Sequence, residues 1–173
     1  MEWDRLTDAL NDYGIVHVAP GADPDQPGPH DPTDLFLALW SALAVRLQEA
    51  AVVLLLTYPE LAPAAQAAIA RLTGREADRA RRRYVASCAL QRMWRTRVQI
   101  TLGVQPLIPP AYLGELGLPS LDDDLGRATL LALARQEESL YGYNAWAGYT
   151  SLMALFLQEI QLKGWGRKAA RVS

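Results

Sequence analysis

The last third of the chain carries large apolar residues at the spacing of an α-helix. Trp146, Tyr149, Met153, Phe156 and Ile160 recur at alternating intervals of three and four residues, and polar residues occupy the opposite side of the same wheel. This pattern is typical of an amphipathic helix whose apolar face packs into a core. It is the clearest indication of secondary structure in the sequence.

The remainder of the chain also favours helices over strands. Alanine and leucine dominate the periodic segments, β-branched residues are sparse in them, and 173 residues, half of them hydrophobic, suffice to bury one full core. We predict an all-α fold, a single helical domain over residues 1–173 that forms a bundle of about five helices. Residues 19–32 are expected to form a proline-rich N-terminal arm, residues 103–119 one long loop, and residues 164–173 a basic tail.

The most apolar stretch, residues 35–56, has the length of a membrane-spanning helix. Arg46, Gln48 and Glu49 lie near its centre, where charged groups are costly in hydrocarbon. We therefore interpret this stretch as one core helix and expect no membrane insertion.

Several helix boundaries are marked by capping residues. Asp31 followed by Pro32 predicts the start of the apolar helix, and Ser120 predicts the start of another helix with acidic residues in its first turn. A helix–helix junction or a kink is expected at residues 141–144, and Gly164 is expected to end the last helix.

The formal net charge of −2 conceals a strong separation of charge. Between Arg71 and Arg97, nine arginines face only two acidic residues, so this segment carries +7. The segment from Lys163 onward adds +4, which leaves −13 for the rest of the chain. A local excess of positive charge attracts phosphates or acidic partners.

The arginine-rich segment is predicted to be a helix that begins with a capping-box pattern, Thr73 to Glu76. An early set of arginines shares one face of the helical wheel, whereas Arg92 and Arg95 lie on roughly the opposite side. Its apolar residues also change sides. Either the helix bends near residues 86–89, or its two halves pack against different partners.

Guanidinium groups bind phosphate through two parallel donors, so the early arginines are candidates for contact with a nucleic-acid backbone. The candidate phosphate-binding residues, from the helix and the tail, are Arg75, Arg79, Arg82, Arg83, Arg167 and Lys168. Tyr84 or Trp94 is available to stack on bases. The alternative is a solvated arginine face paired with acidic residues of the same molecule or of a neighbouring subunit.

Carboxylate clusters are the other candidate sites, and none satisfies the requirements of a metal site. They are Asp122 to Asp124, the arm residues Asp23, Asp25 and Asp31 with His30, and the helical Glu137, Glu138 and Glu159. Consecutive helical residues point about 100° apart, which prevents the first group from converging on one ion. The last group lacks the Glu-x-x-His pairs of di-metal bundles. No metal and no cofactor are expected.

Two further features have a structural and a functional interpretation. Cys88 is a candidate nucleophile with His17 as its base, but nothing in the sequence brings the two together, and a small core residue is favoured. The aromatic and glycine-rich residues 141–149 are suited either to lining a pocket or to packing around a kink, and packing is favoured. The one cysteine and the absence of signal-peptide features predict a cytoplasmic protein.

Three functions follow from these patterns. The leading hypothesis is a non-enzymatic helical subunit of a larger assembly that binds DNA or RNA backbone through the arginine-rich helix and the tail. The second is a helical scaffold or adaptor that forms homo-oligomers or docks on protein partners without nucleic acid. The third is a small-molecule enzyme that uses the helix carboxylates Glu137 and Glu138.

Overall fold

A computed structural model describes the backbone of residues 2–15 and 31–170, and the side chains of residues 5–15 and 31–161. Within these ranges every regular element is helical, which confirms the all-α prediction. The α-helices of the described residues are α1 Glu2–Asp12, α2 Pro32–Ser41, α3 Val45–Thr57, α4 Ala62–Arg71, α5 Gly74–Met93, α6 Arg95–Leu102, α7 Leu113–Leu116, α8 Arg127–Tyr141 and α9 Ala145–Ala170. Two short 3-10 turns, Pro59–Leu61 and Asp123–Gly126, lie between them. The expected number of about five helices was therefore too low.

The chain divides into two compact units, Met1–Tyr84 and Val85–Ser173, and the division falls within α5. This is a finer organisation than the single helical domain expected from the sequence. Helix α5 runs unbroken through residues 86–89 and ends at Met93, and α6 begins at Arg95, directly after Trp94.

In the first unit, α2 packs against α3 and α4, and α1 packs against α2. Phe36 and Trp40 of α2 are buried, and their rings lie 5.1 Å apart. The predicted start of this helix is confirmed, because Oδ1 of Asp31 accepts a hydrogen bond of 2.7 Å from the backbone N–H of Thr33, and Pro32 occupies the first turn. The side-chain amide of Gln66 in α4 donates to the hydroxyl of Tyr84 in α5 at 2.7 Å.

The prediction of one core helix over residues 35–56 is wrong. Helix α2 ends at Ser41, and Ala42 and Ala44 have extended backbones before α3 begins at Val45. The buried amide of Gln48 donates to the carbonyl oxygen of Ala42 at 2.8 Å and so satisfies a group that the break leaves without a helical partner. Residues 50–56 are all buried, as their all-round apolar character predicts.

The helices of the described residues can be compared with the length and apolar character that a membrane-spanning helix needs. None of the helices there is by itself long and apolar enough to cross a membrane, and the pair Val45–Thr57 and Pro59–Arg71 meets the criteria only when joined across a bend of 112°.

In the second unit, α8 and α9 form a helical hairpin and α6 packs against α9. The apolar stripe of α9 faces its core: Tyr149, Met153, Phe156 and Ile160 are buried, and Trp146 is half-buried. The predicted junction is confirmed as well, since α8 ends at Tyr141 and α9 begins three residues later at Ala145.

Two predicted boundaries of the second unit are wrong. Helix α8 begins at Arg127 instead of directly after Ser120, because Asp124 and Leu125 adopt left-handed backbones (φ +50° and +53°) that an α-helix does not contain. Helix α9 continues through Gly164 to Ala170, because a glycine within a helix costs only about 1 kcal/mol and does not oblige it to end.

Candidate functional site

The early arginines of α5 do not form the continuous exposed face expected from the wheel. Arg75 is exposed and Arg79 and Arg83 are half-buried, but Arg82 is only 7% exposed. Nε of Arg82 donates to Oδ2 of Asp78, one turn earlier, at 2.9 Å. The expectation that Arg82 is exposed is therefore wrong, and its guanidinium is paired with a carboxylate of the same helix.

The structure also bears on the other residues expected to bind nucleic acid together with the early arginines. Tyr84 is fully buried, and its hydroxyl accepts from Gln66, so it is not available for base stacking. Arg71 makes an ion pair of 2.9 Å with Asp34. The side chains of Arg167 and Lys168 lie outside the described residues, although their backbones belong to α9.

Arg92, from the late set, is part of a structural cluster that holds the loop after α6. Its guanidinium donates to the carbonyl oxygens of Cys88 at 3.1 Å and Ile108 at 3.3 Å. Gln91, buried beside it, donates to the carbonyl oxygen of Pro106 at 2.9 Å and accepts from the N–H of Ile108 at 2.7 Å. The loop therefore has a defined backbone, since α5 side chains replace the partners that secondary structure would supply.

Cys88 belongs to the same cluster and has the properties of a core residue. Its thiol is completely buried and lies 3.7 Å from the carbonyl oxygen of Pro109. Burial raises the pKa of this thiol to about 12, although the nearby Arg92 acts in the opposite direction. A thiol that stays protonated at neutral pH is a poor nucleophile. The other residue of the suggested pair, His17, lies outside the described residues.

Glu137 is buried in the second unit as part of a hydrogen-bonded pair. The hydroxyl of Tyr149 lies 2.8 Å from Oε1 and 2.7 Å from Oε2 of this carboxylate, so it donates across both oxygens. Glu138 is exposed and Glu159 is half-buried. The pair places Glu137 in the core as a bonded structural group, which disfavours the enzyme hypothesis built on it.

The carboxylate clusters remain without a metal-site geometry in the described part of the chain. No group of three or more His, Cys, Asp or Glu side chains there converges in a way that could hold an ion. Asp122, Asp123 and Asp124 are each exposed on a turn. Asp23, Asp25 and His30 belong to the arm and lie outside the described residues.

The structure reveals a surface that the sequence did not single out, on α6 and the segment that follows it. Two arginines of this surface, Arg95 and Arg97, are exposed, and the guanidinium carbon of Arg97 lies 5.4 Å from the centre of the Trp94 ring. Ile100 is 76% and Val104 81% exposed. Apolar and polar residues alternate over 98–102. Alternate residues share one face of a strand but not of an α-helix, so this pattern alone does not assign the exposed side.

A second surface is the exposed side of α9, opposite its buried stripe. Among the described side chains of this helix, the exposed residues are Ala147, Gly148, Ser151, Ala154, Leu155, Gln158 and Gln161. None of them carries a charge. The sequence showed that polar residues lie on this side, and the structure shows that the side is open.

No protein-family model, no curated protein and no solved structure matches this chain.

Proposed function

We propose that this protein is a non-enzymatic helical scaffold that associates with a second copy of itself through the exposed face of α9. The observation that supports this proposal is the absence of charge along that face, over the four helical turns from Ala147 to Gln161. The face lies on the side of α9 opposite the apolar stripe that fills the core of the second unit.

The surface of a soluble protein carries about 25–35% charged residues, so about two of these seven positions would be charged on an ordinary solvated face. Depletion of charged residues is the compositional mark of the core of a protein interface. The face spans about 20 Å, from the helical rise of 1.5 Å per residue, which is the scale of a helix–helix contact.

A second copy is the partner that this composition favours. In a twofold contact the same surface patch meets itself, so like charges on the patch are brought close to one another. An uncharged face avoids that repulsion. The small side chains of Ala147, Ser151 and Ala154 also permit two helices to approach closely, and Leu155 supplies apolar contact area.

The test is the mass of the full chain in solution, measured by sedimentation velocity and light scattering from about 1 to about 300 µM, a range that resolves weak dimers. We expect a dimer. Ser151→Arg brings two positive charges together and is expected to shift the mass to the monomer, whereas Ser139→Arg, an equal change at an exposed position of α8, leaves the dimer intact. A monomeric wild type over the whole range contradicts the proposal, as does a dimer that both variants retain.

Binding of DNA or RNA backbone through α5 and the basic tail is the second proposal, and exposed Arg75 is the observation that favours it. Arg82 is removed from that site because it is paired with Asp78. We expect a labelled oligonucleotide to bind with an affinity that falls steeply with salt, and Arg75→Ala with Arg79→Ala to reduce the salt slope. Arg135→Ala, which removes an exposed arginine from α8, is the control. Binding that salt does not weaken refutes this proposal.

A further inference from the structure

A surface of mixed positive and apolar character lies at the end of the arginine-rich segment, in the second unit. It consists of Arg95, Arg97 and Ile100 on α6 and of Val104 and Leu107 after it, and is called the α6 surface below. Ile100 and Val104 are more than three-quarters exposed, and Leu107 is 40% exposed. The opposite side of α6, with Val98 and Leu102, is buried.

The apolar residues of the α6 surface are exposed on a backbone that is held in place. The N–H of Gly103 donates to the carbonyl oxygen of Gln99 at 2.9 Å and closes α6. Directly after Val104, the buried amide of Gln91 binds the backbone of Pro106 and Ile108, as described above. Exposure of Val104 and Leu107 is thus built into the fold, and a partner would incur little cost for ordering this segment.

The charged residues of the α6 surface, Arg95 and Arg97, are both positive. The chain contains no acidic residue between Asp78 and Glu115. Arg95 and Arg97 are exposed, and in the part of the chain that the structure describes neither forms an ion pair with a carboxylate. A partner that covers the surface gains most if it supplies carboxylates opposite these two guanidinium groups.

The shape of the surface favours a protein segment over a small molecule. Arg95, Gln99 and Leu107 border a cleft with room for about one water molecule, which is too small for an apolar side chain or a ligand. This cleft therefore does not provide a small-molecule site. Exposed Ile100 and Val104 also contribute nothing to binding phosphate groups, whereas they match apolar side chains of a peptide.

We propose that the α6 surface binds an acidic amphipathic segment of a partner protein. Carboxylates of that segment pair with Arg95 and Arg97, and its apolar side chains cover Ile100 and Val104. This binding is independent of self-association through α9, so Ser151→Arg leaves it unchanged.

The test is fluorescence anisotropy of the full chain with labelled synthetic probes. The probes are an amphipathic peptide of Asp, Glu, Leu and Phe, the same peptide with Lys at every acidic position, polyglutamate, and an oligonucleotide. We expect the acidic amphipathic peptide to bind with a Kd of about 10–100 µM, in the range of weak peptide recognition, and more tightly than the other three probes.

Charge and apolar contact are then tested separately. Arg95→Glu with Arg97→Glu, and Ile100→Ser with Val104→Ser, are each expected to weaken this binding about tenfold or more. Two controls change exposed residues elsewhere in the second unit, Arg127→Glu with Arg135→Glu in one variant and Leu125→Ser in the other. Both are expected to leave binding of the acidic amphipathic peptide unchanged. Circular dichroism confirms that each variant is folded. Equal binding of polyglutamate or the lysine peptide, tighter binding of the oligonucleotide, or insensitivity to the α6 variants overturns the proposal.

Discussion

Replacement of Gly126 by alanine tests a close approach of two backbones in the second unit. Gly126 has φ +85° and stands immediately before α8, against α5. A Cβ atom at this position would lie 3.0 Å from the carbonyl oxygen of Ala89, 3.2 Å from its Cα atom and 3.4 Å from Cβ of Arg92. Two of these atoms belong to the backbone of α5, so they cannot move aside as a flexible side chain does.

Two costs combine in Gly126→Ala. A left-handed backbone costs a residue with a Cβ atom about 1–2 kcal/mol relative to glycine. Displacement of α8 from α5 to relieve the overlap adds about 1–3 kcal/mol, the usual cost of overpacking. The free energy of unfolding is therefore expected to fall by about 2–4 kcal/mol, after the small stabilisation that alanine brings by restricting the unfolded chain.

Gly142→Ala is the matched control, because Gly142 has φ +73° but no atom within 4 Å of its would-be Cβ. The Gly142→Ala variant has only the cost of the left-handed backbone, so its free energy of unfolding is expected to fall by about 1 kcal/mol. Urea unfolding is followed by circular dichroism and by tryptophan fluorescence, and coincident transitions establish two-state behaviour. If Gly126→Ala destabilises the protein no more than Gly142→Ala does, the close contact between the start of α8 and α5 is refuted.

Three further predictions concern the same unit. Leu125→Asn is expected to raise the free energy of unfolding by about 0.5–1 kcal/mol, because Leu125 is 72% exposed at φ +53° and asparagine tolerates that backbone; a lower urea midpoint would contradict the left-handed turn. Gln91→Leu removes both hydrogen bonds to Pro106 and Ile108 and is expected to cost about 2–4 kcal/mol, and hydrogen exchange at the N–H of Ile108 should accelerate selectively. Burial raises the pKa of Cys88 from 9.0 to about 12. The contribution of the protonated thiol to the free energy of unfolding is therefore complete below pH 9 and is lost as pH rises toward 12. In that window the free energy of unfolding falls by up to about 1.4 kcal/mol per pH unit. The difference in stability between wild type and Cys88→Ala should therefore shrink over that window, and a difference independent of pH would refute the assigned burial.

The elements that the sequence predicted well are those set by local physical chemistry. The stripe of α9 needs only a 3,4 spacing of large apolar residues, and the start of α2 needs only an acceptor at Asp31 and a proline after it. Each signal lies within a few residues of the structure it specifies. The junction at residues 142–144 belongs to the same class, because Gly142 supplies the left-handed backbone that ends α8.

The features that sequence reasoning missed depend on contacts between distant residues. Nothing in Ala42, Leu43 and Ala44 marks a break, and the break persists because Gln48 binds the carbonyl group that the break exposes. Arg82 lies on the polar side of the wheel, yet its burial depends on what covers that side. Gln91 is a single amide in an apolar run, and only the position of the loop shows that it has two backbone partners.

These contacts also change the interpretation of the positive segment. Arg71 is paired with Asp34, which lies outside the segment, and Arg92 holds the loop through carbonyl oxygens, so the formal charge of +7 overstates what the segment offers to a partner. Arg82 is buried beside Asp78, a carboxylate that the +7 already includes. Of the arginines of this segment that belong to the second unit, Arg95 and Arg97 are exposed, and they lie beside exposed isoleucine and valine. When a protein binds a nucleic-acid backbone, its affinity falls with salt concentration, and more steeply with each phosphate that it contacts. A protein segment held by two ion pairs and an apolar contact retains much of its affinity in salt. The salt dependence of binding thus separates the two kinds of partner, and the small number of outward arginines favours the acidic protein segment.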